Sequence, residues 1–255
     1  MRTIVGVNAR PWASGGRPLV IGHRGARSYR PENTLAAFEL AADQGATWVE
    51  LDVHLSRDRQ PVVVHDFLLE RTTDGHGRVD AYTLDELKRL DAGAWFGDAY
   101  AGARIPTLDE ALAWAGRRGV GVDIEIKSGP IVYAGIEDAV VAAVHAAAMA
   151  DRVLVTSFDH AAVARVRRIA PDLATGVLYS ARPVEPWALA ERAAAGVVLP
   201  QWQHVRAEDV RAVHARGLGY VTWATSDPAV LRELVRAGGD GIVTDHPDVL
   251  VALLR

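Results

Sequence analysis

Short β-branched runs alternate with Ala-, Leu- and Arg-rich helical runs along this 255-residue chain, and the alternation repeats eight times. Eight such units in about 250 residues predict an α/β fold, a (β/α)8 barrel. An open doubly wound sheet alternates in the same way. The barrel is favoured because side chains able to do chemistry sit at the C-terminal ends of several different strands. One long stretch, about residues 66–106, interrupts the rhythm after the second strand.

The strands are expected at Leu19–His23, Trp48–Leu55, Val122–Lys127, Val153–Phe158, Ala174–Tyr179, Gly196–Pro200, Tyr220–Thr225 and Gly241–Asp245. Each is a short apolar run bounded by Gly, Asp or Pro, the pattern of a buried strand. The helical runs between them include NTLAAFELAADQG, DHAAVARVRRIA, AEDVRAVHARG and DPAVLRELVRAGG. Asn, Asp and Thr at their starts are candidate N-caps. The interruption holds one short helix, marked by a capping box from Thr83 to Glu86, and helical pattern resumes at a second box, Thr107 to Glu110. An excursion at this point of a barrel lies on the catalytic face. There it can cover the site or wall the substrate, and the plainer alternative is added surface. No linker or low-complexity tract divides residues 1–255, so they read as a single barrel domain.

Composition narrows the function. Half the residues are hydrophobic (49%) and the formal net charge is −4, which excludes a general nucleic-acid or anionic-membrane binder. There is no cysteine, so disulfides and thiolate metal sites are excluded and a cytoplasmic location is expected. The segment MRTIVGVNARPWASGGRP lacks the apolar core of a signal peptide. The longest apolar run, Ala139–Ala150, falls short of the roughly 20 residues of a membrane span and reads as a helix packed on the sheet.

The chemistry concentrates between Val20 and Asp66. His23 and His65 each end an apolar run, and Glu50 and Asp52 lie between them on a third. Residues two apart on a strand share a face, so Glu50 and Asp52 point one way and Val49, Leu51 and Val53 the other. Paired carboxylates on a buried face repel and lose hydration, and a divalent cation is the simplest remedy. Glu125 and Lys127 form a further pair on Val122–Lys127. Glu50, Asp52 and Glu125 together offer three hard oxygen ligands, suited to Mg²⁺ or Ca²⁺, with Mn²⁺ a third candidate. Arg24 and Lys127 would grip an anion, best a phosphate. Two imidazoles titrating near pH 6.5 can then share base and acid duties in phosphodiester cleavage.

Here the chain resembles the glycerophosphodiester phosphodiesterases. The motifs that carry the resemblance are HRGARSYRPENTLAAF, VELDVHLSRDRQPVVVHD, RTTDGHGRV, the DIEIK strand, TSFD at Thr156–Asp159 and GIVTDHPD, in family order from Ile21 to Asp248. The resemblance implies a barrel with a segment inserted after strand two, a bound divalent ion, and hydrolysis of glycerophosphodiesters to glycerol 3-phosphate and an alcohol. By motif match His23 and His65 inherit the acid and base roles, Glu50, Asp52 and Glu125 the metal, and Arg24 and Lys127 the phosphate. Trp223 matches the tryptophan that borders the pocket. Two departures lie at the rim: Ser226 stands where Asn is usual, and Phe67 and Leu68 follow His65 where the family reads Pro and Thr. They bear on the substrate head group rather than on the reaction.

Other readings stand beside these. Arg24 can bridge to Glu32, and Lys127 can neutralise Glu125 without touching substrate. His54 shares the face of Asp52, at the edge of the site, and the remaining histidines read as structural or solvent-facing. Phe158, Tyr179, Trp202 and Trp223 at strand ends could line the alcohol side of the pocket and cage a quaternary ammonium group. Two rival functions remain. One is a related barrel phosphodiesterase acting on phospholipid or sphingolipid, with Trp95 and Phe96 as an apolar rim. The other is a catalytically silent barrel that binds glycerophosphodiesters. The expected partner is a small-molecule substrate, without nucleic acid or stable membrane insertion; the sequence is silent on oligomeric state.

Overall fold

A computed structural model describes residues 16–255. The first 15 residues, which hold most of the segment read above for a signal peptide, lie outside the described residues. The strands are β1 (Leu19–Gly22), β2 (Trp48–Leu55), β3 (Pro61–Val63), β4 (Gly121–Ile126), β5 (Val153–Ser157), β6 (Ala174–Tyr179), β7 (Val197–Pro200), β8 (Gly219–Thr222) and β9 (Gly241–Thr244). The helices are α1 (Leu35–Asp43), α2 (Leu84–Leu87), α3 (Leu108–Arg118), α4 (Ile136–Ala146), α5 (His160–Ile169), α6 (Pro186–Ala193), α7 (Ala207–His214), α8 (Pro228–Ala237) and α9 (Pro247–Leu253). Neighbouring strands pair in parallel around the series, and β1 pairs with both β2 and β9, which closes the barrel. The fold is the expected (β/α)8 barrel.

One strand, from the β-type run that ends at His65, stands outside the expected eight. β3 is antiparallel and pairs Pro61–Val63 with Val53–Leu55 of β2. The reason lies in the length of β1, which reaches only Trp48 and Val49 on that edge before turning into the site. The exposed upper edge of β2 needs partners for its main-chain groups, and β3 supplies them while carrying the chain to His65. Several expected strand ends, His23, Lys127, Phe158 and Asp245 among them, fall just past the last ladder residue, and the strand expected to run to Thr225 stops at Thr222, just before Trp223.

Alternation along the strands builds two cores. Ile21, Trp48, Leu154, Leu178, Val197, Leu199, Val221 and Val243 pack together inside the barrel. Trp48 fits there because Gly121 faces it; a Cβ at Gly121 would lie 2.3 Å from the indole. The opposite faces of β2 and β4, Val49, Leu51, Val53, Val122, Ile124 and Ile126, pack outward on a helix layer that includes Phe38, Leu108, Trp114 and Val140. Because these apolar residues face out, Glu50, Asp52, Asp123 and Glu125 face in. The run Ala139–Ala150 begins within α4, whose Val140, Ala143 and Val144 are buried as expected. Among the described residues no helix is long and apolar enough to cross a membrane.

The excursion after β3 is more than added surface. Val64, Leu69, Val79, Leu87, Ala92 and Ile105 form a core of their own with Val62. Both capping boxes form, at Thr83/Glu86 and Thr107/Glu110. Of the candidate caps, Asp159 and Asp227 cap α5 and α8. At α1 the cap is Thr34, not Asn33, whose amide is used in the site.

Candidate active site

Glu50, Asp52 and Glu125 meet at the mouth of the barrel. Each offers an oxygen, and the three oxygens lie within 4.8 Å of one another. Register makes this possible: Asp52 of β2 stands directly beside Glu125 of β4, and Glu50 beside Asp123. Burial, followed by the Asp52 charge, pushes the Glu50 carboxyl well above its ordinary range, and burial also raises Glu125. Burial works on Asp52 too, but the Lys127 and Arg24 charges and the Asn33 hydrogen bond hold it low. Asp52 Oδ1 makes no hydrogen bond, although the Lys127 ammonium is 3.2 Å away. A buried, electron-rich set of three hard oxygens fits a divalent cation.

The loop after β1 is shaped around this cluster. Arg24 and Asn33 both adopt the left-handed backbone region, at φ 52° and 57°, where a side chain costs energy unless neighbours hold it. They hold each other, since the Asn33 N–H donates to the Arg24 carbonyl at 3.0 Å. The Arg24 N–H donates to Glu50 Oε2 at 2.8 Å, and Asn33 Nδ2 donates to Asp52 Oδ2 at 2.8 Å. Gly25 follows at φ 84°, and a Cβ there would lie 2.5 Å from the Ala37 carbonyl carbon. Only glycine lets the loop lie this close to α1.

Carboxylates orient both histidines. His23 Nδ1 is 2.5 Å from Asp245 Oδ1, and His65 Nδ1 is 2.6 Å from Asp66 Oδ1. An ionised carboxylate only accepts, so each Nδ1 carries the proton and each neutral ring leaves Nε2 unprotonated. Burial lowers both imidazoles below their usual 6.5. Burial also raises Asp245, but the His23 hydrogen bond and neighbouring charge outweigh it and leave Asp245 at about 2.

The two expected anion-binding cations are engaged with carboxylates. Arg24 Nη1 donates to Glu32 at 2.8 Å, and its Nε lies 3.3 Å from Asp52. Lys127 Nζ donates to Glu125 at 2.6 Å. Trp223 donates from Nε1 to the Leu199 carbonyl and lines a cavity with His23, Glu50 and Glu125.

A family model for the glycerophosphoryl diester phosphodiesterase family matches residues 23–249. The chain belongs to that family. It is 41% identical over 239 residues to a glycerophosphodiester phosphodiesterase of Caldanaerobacter subterraneus subsp. tengcongensis, covering 94% of this chain and 98% of the relative. The crystal structure of a glycerophosphodiester phosphodiesterase from Agrobacterium tumefaciens superposes with TM-score 0.81 at 33% identity, over 92% of this chain and 99% of that one. An Oleispira antarctica phosphodiesterase in complex with its product sn-glycerol-3-phosphate superposes with TM-score 0.84 at 33% identity, over 93% and 96% of the two chains.

The family motif PENT can be read residue by residue in this geometry. Glu32 accepts from Arg24 and from both terminal nitrogens of Arg71, Asn33 serves Asp52, and Thr34 caps α1. Arg71, from the excursion, also donates from Nε to Asp66 at 2.5 Å. A continuous chain of hydrogen bonds thus runs from Arg24 through Glu32, Arg71 and Asp66 to His65. Sequence reasoning noted the Arg24–Glu32 bridge but missed Asn33, Arg71, Asp66 and Asp245. Asp66 had a signal, since it directly follows His65, and Asp245 a weaker one, since it ends a strand-like run. Asp123 was missed as a fourth inward carboxylate, although it shares a face with Glu125. It accepts from Thr156 at 2.8 Å, and burial raises it to about 7.

Other candidates lie elsewhere. Tyr179 packs outward among Val163, Val177 and Ala190, and Trp202 packs against the outer core. Neither lines the mouth cavities, whereas Phe158 does, held edge-on against Trp223 at 5.3 Å. His145, His160, His214 and His246 bond to Asp172, the Leu178 carbonyl, Asp240 and Tyr29, away from the acidic cluster.

Proposed function

We propose that this protein hydrolyses glycerophosphodiesters to glycerol 3-phosphate and an alcohol, with one divalent cation held by Glu50, Asp52 and Glu125. The observation that carries the reading is the meeting of three buried carboxylate oxygens within 4.8 Å at a barrel mouth flanked by two carboxylate-oriented imidazoles. The cation is Mg²⁺ or Ca²⁺, with Mn²⁺ as the third candidate. When bound, it supplies positive charge against the phosphoryl oxygens.

The protein's own groups do the rest. One imidazole of the His23–His65 pair takes the proton of the attacking O–H group, that of water or of the substrate's own glycerol hydroxyl, through Nε2, and the other returns a proton to the leaving oxygen; where the glycerol hydroxyl attacks, water then opens the cyclic phosphate to glycerol 3-phosphate. An oxygen–phosphorus bond forms, the bond to the alcohol oxygen breaks, and one proton is taken as one is given. Burial keeps both rings neutral at rest, and the negative phosphate raises the ring beside the leaving oxygen toward its protonated form. Arg24 and Lys127 lend charge to the phosphate while balancing Asp52 and Glu125. Trp223 borders the glycerol. A cytoplasmic setting suits the cysteine-free composition.

The test is release of glycerol 3-phosphate from a panel of glycerophosphodiesters with Mg²⁺, Ca²⁺ or Mn²⁺ supplied separately. Release with at least one ion is expected; binding without turnover under every condition contradicts the reading. Rapid-quench trapping of a cyclic glycerophosphate separates attack by the glycerol hydroxyl from attack by water.

A further inference from the structure

Two cavities open on the acidic cluster, and Glu125 lines both. The cavity on the His23 side holds about 20 Å³, enough for a body the size of an ion or a water. The cavity on the His65 side is far larger, about 320 Å³. His65 and Lys127 stand at its phosphate end, and Phe67, Ile126, Pro130 and Phe158 contribute its apolar walls. Asp66 also lines it, but that carboxylate is already hydrogen-bonded by His65 and Arg71. Ser128 is the one neutral hydroxyl among the lining side chains.

A phosphodiester carries two substituents, and the two sides of this mouth suit different ones. Glycerol brings hydroxyls that need polar partners. Such partners stand beside His23 but outside the small cavity, where Asp245 and Arg27 face each other at 3.5 Å. The polar groups that line the wide cavity are mostly engaged already, His54 with Tyr133 and the His65 carbonyl, Lys127 with Glu125, and Asp66 with His65 and Arg71, so a polyol or a primary ammonium placed there loses hydration with little replacement. A weakly hydrated body loses little and gains contact with two phenyl rings. Phe158 is 44% exposed, an apolar surface that no neighbour covers fully, yet its edge contact with Trp223 fixes the ring.

We propose that the Phe67–Phe158 cavity receives the leaving alcohol and selects alcohols with an alkyl, aryl or quaternary-ammonium body over polyols and primary amines. The inference rests on the phosphodiesterase reading above and adds a substrate class to it. Phe67 and Phe158 are the specificity-determining residues. Phe67 follows His65 and its orienting carboxylate Asp66 directly in sequence, so the residue that shapes the alcohol's pocket is tied to the group that faces its oxygen.

The experiment compares glycerol 3-phosphate release from glycerophosphocholine, glycerophosphoethanolamine and glycerophosphoglycerol. The wild type is expected to favour the choline ester over the other two by roughly tenfold in kcat/KM, the range of a desolvated cation–ring contact. Phe67→Ala and Phe158→Ala should each lower the choline-to-glycerol ratio by about threefold or more, and Phe67→Leu should retain part of it. Because the readout is a ratio within one preparation, partial misfolding of a variant does not move it. A wild-type ratio near one, or a ratio untouched by both alanine variants, overturns the proposal. Absence of glycerol 3-phosphate from all three substrates overturns the phosphodiesterase reading itself and is distinct from a flat preference.

Discussion

Nε2 of His54 lies 2.9 Å from the main-chain carbonyl oxygen of His65, and Nδ1 of the same ring lies 2.8 Å from the Tyr133 hydroxyl. A carbonyl only accepts, so Nε2 carries the proton and the Tyr133 O–H donates to Nδ1. Burial lowers His54 to about 4, which keeps this neutral form across the working range. His54 therefore anchors the backbone of His65 to the loop after β4.

This relationship predicts a positioning effect rather than a binding effect. His54→Ala should lower kcat by about tenfold or more and leave KM nearly unchanged, since small misplacements of a reacting group are costly. His54→Gln, which keeps a donor, should recover part of the loss. Steady-state kinetics on both variants check this, and equal loss in kcat and KM would speak against it.

Removing either imidazole should be far more damaging. His23→Ala and His65→Ala should each lower kcat by about 10²–10⁴, the usual contribution of general acid–base catalysis. Far-ultraviolet circular dichroism should stay unchanged, because neither ring belongs to the apolar cores. Retained activity in either variant removes that residue from the reaction.

Chelation should inactivate the enzyme reversibly. The three carboxylates crowd one another, and burial with mutual repulsion raises Glu50 and Glu125. Treatment with EDTA followed by dialysis should abolish activity, and readdition of Mg²⁺, Ca²⁺ or Mn²⁺ should restore it. Full activity after exhaustive chelation contradicts the metal assignment.

Glu32 should make stability depend on pH. Burial raises its carboxyl, but the Arg71 hydrogen bonds and the Arg24 charge prevail and bring it from 4.5 to about 2. A carboxyl lowered on folding stabilises above its unfolded value, and that contribution fades as pH falls from 4.5 toward 2. A shift of this size corresponds to about 3 kcal/mol at neutral pH. Urea unfolding of Glu32→Gln should show a loss of that order at pH 7 and a smaller one at pH 3. A gap that stays constant with pH would show that the ion pairs contribute no pH-linked stability.

Much of the architecture could be read from the chain because it rests on periodicity. Val49, Leu51 and Val53 alternate with Glu50 and Asp52, and burying the apolar set outward forces the carboxylates inward. The two capping boxes are equally local and form where expected. The run ending at His65 is β-type, but it was not legible as an additional antiparallel strand on β2. A three-residue run becomes one only because β1 ends early and leaves an edge of β2 open. Tyr179 and Trp202 show the same limit: an aromatic near a strand end faces inward or outward according to register, which composition does not reveal.

The sequence by itself determined the barrel, the meeting of Glu50, Asp52 and Glu125, and the placing of His23 and His65 at the two cavities that share Glu125, because strand alternation and motif order carry that information. Tertiary structure alone decided what holds those groups. Asp245 reaches His23 across 222 residues, Arg71 ties Glu32 to Asp66, and Lys127 leans on Glu125 and Asp52. Such partners are selected by distance in the folded chain, and a buried charge takes whichever counter-charge barrel closure brings within reach.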